Sequence, residues 1–250
     1  MIHSANTRIA ISTVGSCVIV VDGKVVSGVP TIFYKVAAYL LLAGTNGSVT
    51  RQRLWSALWS DPRDADRAAA NLRRSLARIR ALQAKYGFTL IESNFHTVYL
   101  VEDAQVSWDL KRLWGILLDQ GQPVRLGSYP GELLADIHDS GPEFEDWLGT
   151  WRETLRGRFL DRLAQSISDE SWASKNGPTR RALAQEILSV DPCNEEAFRI
   201  LMIDAAASRN AARLKQVYQR CETELRHELN VAISAETRTL YEGLMRSITN

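Results

Sequence analysis

The chain has 250 residues, of which 45% are hydrophobic and 24% charged, with a formal net charge of +1. This is the make-up of a globular chain with ample length to bury a core, as one large domain or two medium ones. It excludes a membrane span, which needs ~18 consecutive apolar residues; the longest apolar candidate, Val36 to Ala43, is far shorter.

The N-terminus, MIHSANTRIAIS, has no basic region followed by an apolar run, so no signal peptide is expected. Cys17, Cys193 and Cys221 are widely spaced and odd in number. They point to buried thiols in a reducing compartment, the cytoplasm, rather than to a disulfide framework or a metal site. The net charge hides an asymmetry. Residues 1–107 hold twelve Lys/Arg against seven Asp/Glu, a net +5, and the remainder carries −4. A basic front and an acidic back fit a nucleic-acid module followed by a protein-contact module.

In chain order, Arg8–Ser12 and Ser16–Val21 read as short β-branched strands, and Asp22-Gly23 before Lys24–Val26 is a hairpin signal, because a type I′ turn needs two residues that tolerate positive φ. Thr31–Ala43 is long and apolar enough for a buried helix that Gly44–Gly47 ends. Ser48–Trp59 reads as a second helix, capped by Ser48 or Thr50. Arg51 and Arg53 lie in its first turn, where free backbone N–H groups and arginines suit a DNA phosphate; ordinary exposed arginines are the plain alternative. Ser60–Arg63, with Pro62, reads as a turn.

The third helix, Asp64–Lys85, organises the front half. Its apolar positions Ala69, Leu72, Leu76, Ile79 and Leu82 or Gln83 step by three and four, so they share a face. Arg67, Asn71, Arg74 and Arg78 step likewise on a different face, and Arg73 and Arg80 lie seven apart on the flank. Arg can bond guanine edges in a bidentate way and Asn adenine edges, so this face is expected to read bases. A solvated charged face is the plain alternative. Phe88–Glu92 and Thr97–Val101 then form a hairpin through Ser93–His96. Sheet, three helices and hairpin is the order of a winged helix-turn-helix, whose third helix enters the major groove and whose wing tracks the backbone or minor groove. Thr50, Arg51, Arg53, Arg73 and the tip residues Asn94, His96 and Thr97 are the expected phosphate and wing contacts.

Ala104–Ser107 reads as a connector, and the chain from Trp108 on reads helical: Trp108–Gln120, a loop Pro123–Pro130, a short helical piece Gly131–Ile137, then Glu143–Asp169, Pro178–Val190, Asn194–Ser208, Ala211–Leu229 and Ser234–Ile248. Fifteen-residue helices with short breaks suggest antiparallel pairs. Asp191–Leu225 spans about one ~34-residue tetratricopeptide unit, with Ser208-Arg209-Asn210 in place of the usual inter-helix glycine. The expected fold is therefore an α+β winged helix-turn-helix domain over 1–105 and an all-α tetratricopeptide-like domain over 106–250.

Walker A, GxGxxG, GxSxG and HExxH patterns are absent from the sequence. Glu143, Glu145 and Asp146 open a helix, where carboxylates favour its dipole. His3, His138 and His227 are isolated from one another and from cysteine. Neither an enzyme, a bound metal nor a cofactor is expected.

Several segments resemble the SARP-type (AfsR/DnrI) bacterial transcriptional activators, which join an OmpR-type winged helix to a bacterial transcriptional activation domain of tetratricopeptide-like helices. VIVVDGKVV is similar to the opening hairpin, AAYLLLAGTNGSVTRQRLWSALW to the first two helices, NLRRSLARIRAL to the recognition helix and FTLIESNFHTVYL to the wing, with Thr97-Val98-Tyr99 where a Gly-Tyr pair is usual. YPGELLADI, WLGTWRETLRGRFLDRL, VDPCNEEAFRILM, VYQRCETELRHELNV and SAETRTLYEGL resemble the activation domain. The resemblance implies binding to double-stranded DNA at direct repeats near promoters, as side-by-side monomers or a homodimer, with contact to RNA polymerase and none to a membrane. The family's fused ATPase, phosphopeptide-binding and receiver domains are not expected, because the sequence ends soon after the helical half. The competing reading is a helical-repeat adaptor whose winged helix no longer binds DNA.

Overall fold

The computed structural model describes residues 8–59, 65–119, 129, 131–138, 141–168 and 180–249. The expected turn at Ser60–Arg63 and most of the loop Pro123–Pro130 lie outside them. The contacts divide the chain into two units, Met1–Leu118 with Pro130–Leu155 and Asp119–Tyr129 with Arg156–Asn250.

The first unit opens with strands β1 (Ile9–Ser12), β2 (Val18–Val21) and β3 (Lys24–Val25). Asp22 and Gly23 both take positive φ, 48° and 76°, so the tight antiparallel turn forms where the Asp-Gly pair places it. Helix α1 (Thr31–Ala43) follows as the sequence predicts and buries Phe33, Val36, Ala37 and Leu40. Ser48–Thr50 is a strand, β4, and not the first turn of the next helix as expected. It pairs antiparallel with a strand almost fifty residues on, a partner that no local signal reveals. Helix α2 (Arg51–Leu58) starts after it, with Thr50 as the cap: its Oγ1 accepts from the Arg53 N–H at 3.2 Å.

Helix α3 (Ala65–Tyr86) buries Ala68, Leu72, Leu76, Ile79 and Gln83. The apolar stripe is the predicted one, except that Ala68 and not Ala69 is buried. Gly87 ends it at φ 69°, and the Phe88 N–H donates back to the Gln83 carbonyl at 3.1 Å, a Schellman closure that turns the chain into the hairpin. Strands β5 (Ile91–Ser93) and β6 (Thr97–Leu100) form that hairpin, and with β4 they make a sheet of order β4-β6-β5.

Val106–Trp108, where the end of a connector and the first residue of a helix are expected, is strand β7. It pairs parallel with β1 and completes a second sheet of order β3-β2-β1-β7. Helix α4 (Asp109–Leu118) leaves it directly. The Asp109 carboxylate accepts from the backbone N–H groups of Thr13 (2.9 Å) and Val14 (3.1 Å), and Trp108 Nε1 donates to Thr13 Oγ1 at 2.7 Å. Thr13 is wholly buried, so these bonds satisfy polar groups that water cannot reach. The region 106–118 therefore packs within the first unit, a division that differs from the expected boundary after residue 105.

Gly131–Ile137 is a turn and not the short helix expected: Leu133 bridges Val14, and Arg152 holds it by donating to the carbonyls of Leu133 (2.9 Å) and Leu134 (3.0 Å). Helix α5 (Pro142–Ser168) follows, and its first part sets Phe144 and Trp147 against one another, Trp147 against Tyr39, and Trp151 against Trp114.

The second unit is helical among its described residues: the later part of α5, then α6 (Arg180–Val190), α7 (Glu195–Ala207), α8 (Ala211–Glu224), a π-helical turn (Leu225–Leu229) and α9 (Ala235–Thr249). The expected helix Ala211–Leu229 is thus divided at Glu224. Phe198, Met202, Leu214 and Cys221 form its core. The three-residue link between α7 and α8 makes them antiparallel neighbours. Arg209 takes the left-handed conformation there, φ 49°, at the position usually given to glycine. The Arg209 N–H donates to Ala206 O (2.8 Å) and the Asn210 N–H to Ala205 O (3.0 Å), so the helix ends in a Schellman motif without a glycine.

Candidate nucleic-acid interface

On a helix of 3.6 residues per turn, the buried residues of α3 fall within an arc of about 80°. Arg67, Asn71, Arg74 and Arg78 fall within an arc of about 60°, centred about 130° from the buried one. The structure therefore keeps these four side chains together, away from the packed stripe. Arg67, Arg74 and Arg78 are exposed and Asn71 half-buried. Arg74 Nη2 donates to Asn71 Oδ1 at 2.6 Å, so the two side chains that suit guanine and adenine edges already hold each other. Asn71, Arg74, Ser75 and Arg78 form one wall of a polar groove of about 520 Å³ whose other wall includes Thr31 and Lys35 of α1 and Trp59.

The flank of α3 on the far side of the buried stripe carries Arg73 and Arg80. Arg80 Nη2 donates to Ser93 Oγ at 2.7 Å, at the end of β5 where the hairpin turn begins, and Arg51 Nη2 reaches the same hydroxyl at 3.3 Å. The Arg51 backbone N–H donates to the His96 carbonyl at 2.9 Å, and its buried Nε has no hydrogen-bond partner among the described residues. The sequence pairs Arg51 with Arg53 as phosphate ligands. The structure separates them: Arg51 is turned toward the hairpin turn, while Arg53 is exposed, as is Arg73, and neither of the latter two side chains makes a hydrogen bond or ion pair among the described residues.

The tip is also arranged differently from the expectation. Asn94 Oδ1 accepts from the His96 N–H (2.9 Å), the Thr97 N–H (2.8 Å) and Thr97 Oγ1 (3.1 Å). Asn94 and Thr97 thus close the turn on themselves. Phe95, which sequence reasoning did not single out, is 86% exposed at the tip, and its ring meets His96 edge-on at 5.0 Å. Its only sequence signal is a large aromatic residue in the link between two strands.

Gln83 was visible in the sequence only as an alternative to Leu82. It is buried and makes three bonds to the hairpin: its Oε1 accepts from the N–H groups of Leu90 (3.0 Å) and Ile91 (2.8 Å), and its Nε2 donates to the Ile91 carbonyl (3.0 Å). β5 is an edge strand, and this side chain satisfies its open edge. The hairpin is thereby fixed to the helix at three points, Gly87, Gln83 and Ser93.

Residues 125–245 match the family model described as bacterial transcriptional activator domain. The match falls on the part of the sequence that resembles the activation domain of the SARP-type regulators, and that resemblance is borne out. Among solved structures, the chain is similar in fold to EmbR of Mycobacterium tuberculosis, determined in complex with a low affinity phosphopeptide, at 18% identity and a TM-score of 0.59. The likeness covers 96% of this chain and 65% of that one, so this chain spans about two thirds of its length. No curated protein sequence matches the chain. No helix among the described residues is long and apolar enough to cross a membrane.

Proposed function

We propose that the chain is a sequence-specific transcriptional regulator that binds double-stranded DNA through a winged helix-turn-helix formed by α1–α3 and the β5–β6 wing. The observation that supports this reading most strongly is α3 itself, which buries one stripe and gathers Arg67, Asn71, Arg74 and Arg78 on another, next to a hairpin anchored to its C-terminal end. In the major groove these four side chains read base edges, each good bidentate contact contributing roughly 1–3 kcal/mol of discrimination. Arg53 and Arg73 hold phosphates, with the first turn of α2 after Thr50. Arg51 acts indirectly, by holding the turn of the wing. Release of counterions from those phosphates makes binding fall steeply with salt.

The activator domain supplies the protein-contact half. By resemblance its partner is RNA polymerase, and the DNA sites are direct repeats near promoters, occupied by side-by-side copies or a homodimer. The place of action is the cytoplasm, and the role is regulatory, not catalytic. The test is to incubate the purified protein with sheared DNA of its own genome, recover bound fragments at two salt concentrations and sequence them. Enrichment of a direct repeat, lost at the higher salt, is the expected result. Retention of nothing at low salt refutes the reading and leaves the adaptor alternative.

A further inference from the structure

The wing carries no cation. Residues 91–100, IESNFHTVYL, contain neither Lys nor Arg, and the single carboxylate, Glu92, accepts from the Tyr99 hydroxyl at 3.2 Å. The two polar side chains at its tip are used within the turn, Asn94 as a triple acceptor and Thr97 as its donor. What the tip turns outward is the Phe95 ring, 86% exposed and braced edge-on by His96. The turn beneath it is anchored, since the His96 carbonyl accepts from the Arg51 N–H at 2.9 Å and Ser93 is gripped by Arg80 at 2.7 Å. An apolar side chain this exposed, on a tip this well fixed, is suited to an apolar surface and not to a phosphate.

We propose, resting on the DNA-binding reading above, that Phe95 is the contact residue of the wing and packs against the deoxyribose walls of the minor groove beside the α3 half-site. The argument is one of chemistry and continuity. Duplex DNA presents little apolar surface outside its stacked bases, and the sugar C–H groups lining the minor groove are the part a hairpin tip can reach; apolar side chains are recurrent minor-groove contacts. The exposed cations Arg53 on α2 and Arg73 on α3 take the flanking phosphates, and the groove is left to the tip. Phe95 thus contributes a salt-independent part of the affinity, and Asn94 and Thr97 shape the turn that presents it.

The test uses the full chain and a duplex selected by the wild-type protein from a randomised pool. Hydroxyl-radical footprinting reads deoxyribose exposure directly, and titrations at several salt concentrations give the affinity and its salt slope. Phe95→Ala is expected to lose protection at the few sugars flanking the half-site and to bind roughly tenfold more weakly, from the loss of a partly buried aromatic contact. Its salt slope should stay as in wild type, because no phosphate contact is removed. Phe95→Leu, still apolar, should retain most of the affinity, whereas Arg53→Ala should flatten the slope and keep the flanking protection. Because Phe95 touches little of the fold, its replacement leaves the protein folded, which circular dichroism checks. Wild-type affinity and footprint in Phe95→Ala overturn the inference while leaving DNA binding standing, as does weaker binding with a flattened slope. A wild-type protein that footprints no duplex removes the DNA-binding reading and this inference with it.

Discussion

Gln83→Met is the substitution that most directly tests how the wing is attached. Methionine has nearly the same length, volume and helix propensity as glutamine, so α3 and its packing are preserved and only the amide is lost. Gln83 is 4% exposed and makes three bonds of 2.8–3.0 Å to the edge of β5. After the substitution the N–H groups of Leu90 and Ile91 and the Ile91 carbonyl are left buried without that partner. A buried donor left unsatisfied costs about 1–3 kcal/mol. With two donors and one acceptor affected, and with about 1 kcal/mol regained from burying a thioether instead of an amide, the net loss is about 3 kcal/mol. Set against a typical domain stability of about 5–15 kcal/mol, the change is large, and it corresponds to a drop of roughly 6–12 °C in the melting temperature. Chemical denaturation gives the free energy, and hydrogen exchange locates it: the amides of Leu90 and Ile91 should show the largest increase in exchange rate in the first unit. A loss below about 1 kcal/mol, with those two amides still protected, would refute the reasoning and show that the hairpin stays in place by its apolar contacts alone.

Four other outcomes follow from the same geometry. Arg74→Ala should narrow the difference between specific and random duplexes, while Arg53→Ala should weaken both about equally; competition titrations separate the two, and an equal loss for Arg74→Ala removes it from the base-reading set. Arg209→Gly should stabilise the second unit by about 0.5–1 kcal/mol in a denaturant titration, since glycine takes the positive φ without the clash an L side chain meets, less the freedom it gains when unfolded. Burial pushes the Cys221 thiol up to about 12, so in the native protein it should resist alkylation at pH 8 and react only on unfolding. For the same reason the unfolded thiol ionises first as pH rises from about 8.5, so its burial costs the folded state stability between there and about 12, which denaturation at graded alkaline pH will show as a smaller loss in Cys221→Ala than in the wild type.

Features encoded by a few neighbouring residues could be read from the chain alone. The Asp22-Gly23 turn, the limits of α1, Thr50 as one of two candidate caps and the two faces of α3 were all legible, because turn chemistry and 3.6-residue periodicity act over less than about a dozen positions. The helices of the second half were legible for the same reason, although the left-handed turn at Arg209 was visible only as a missing glycine. Whatever depends on a distant partner emerged only when the chain was folded. Ser48–Thr50 is a strand because β6 lies beside it, and Val106–Trp108 is a strand because β1 does. Arg51 and Arg53 sit two residues apart in the same helical turn, yet Ser93, some forty residues later, draws one inward while the other stays in solvent. Asn94 is drawn into the turn, and Phe95 left exposed, because the turn needs an acceptor for three donors at once, and the asparagine side chain is the group that reaches them. Local pattern thus fixed which faces exist. Which side chains remain free to meet a partner was set by hydrogen bonds between residues far apart in the chain.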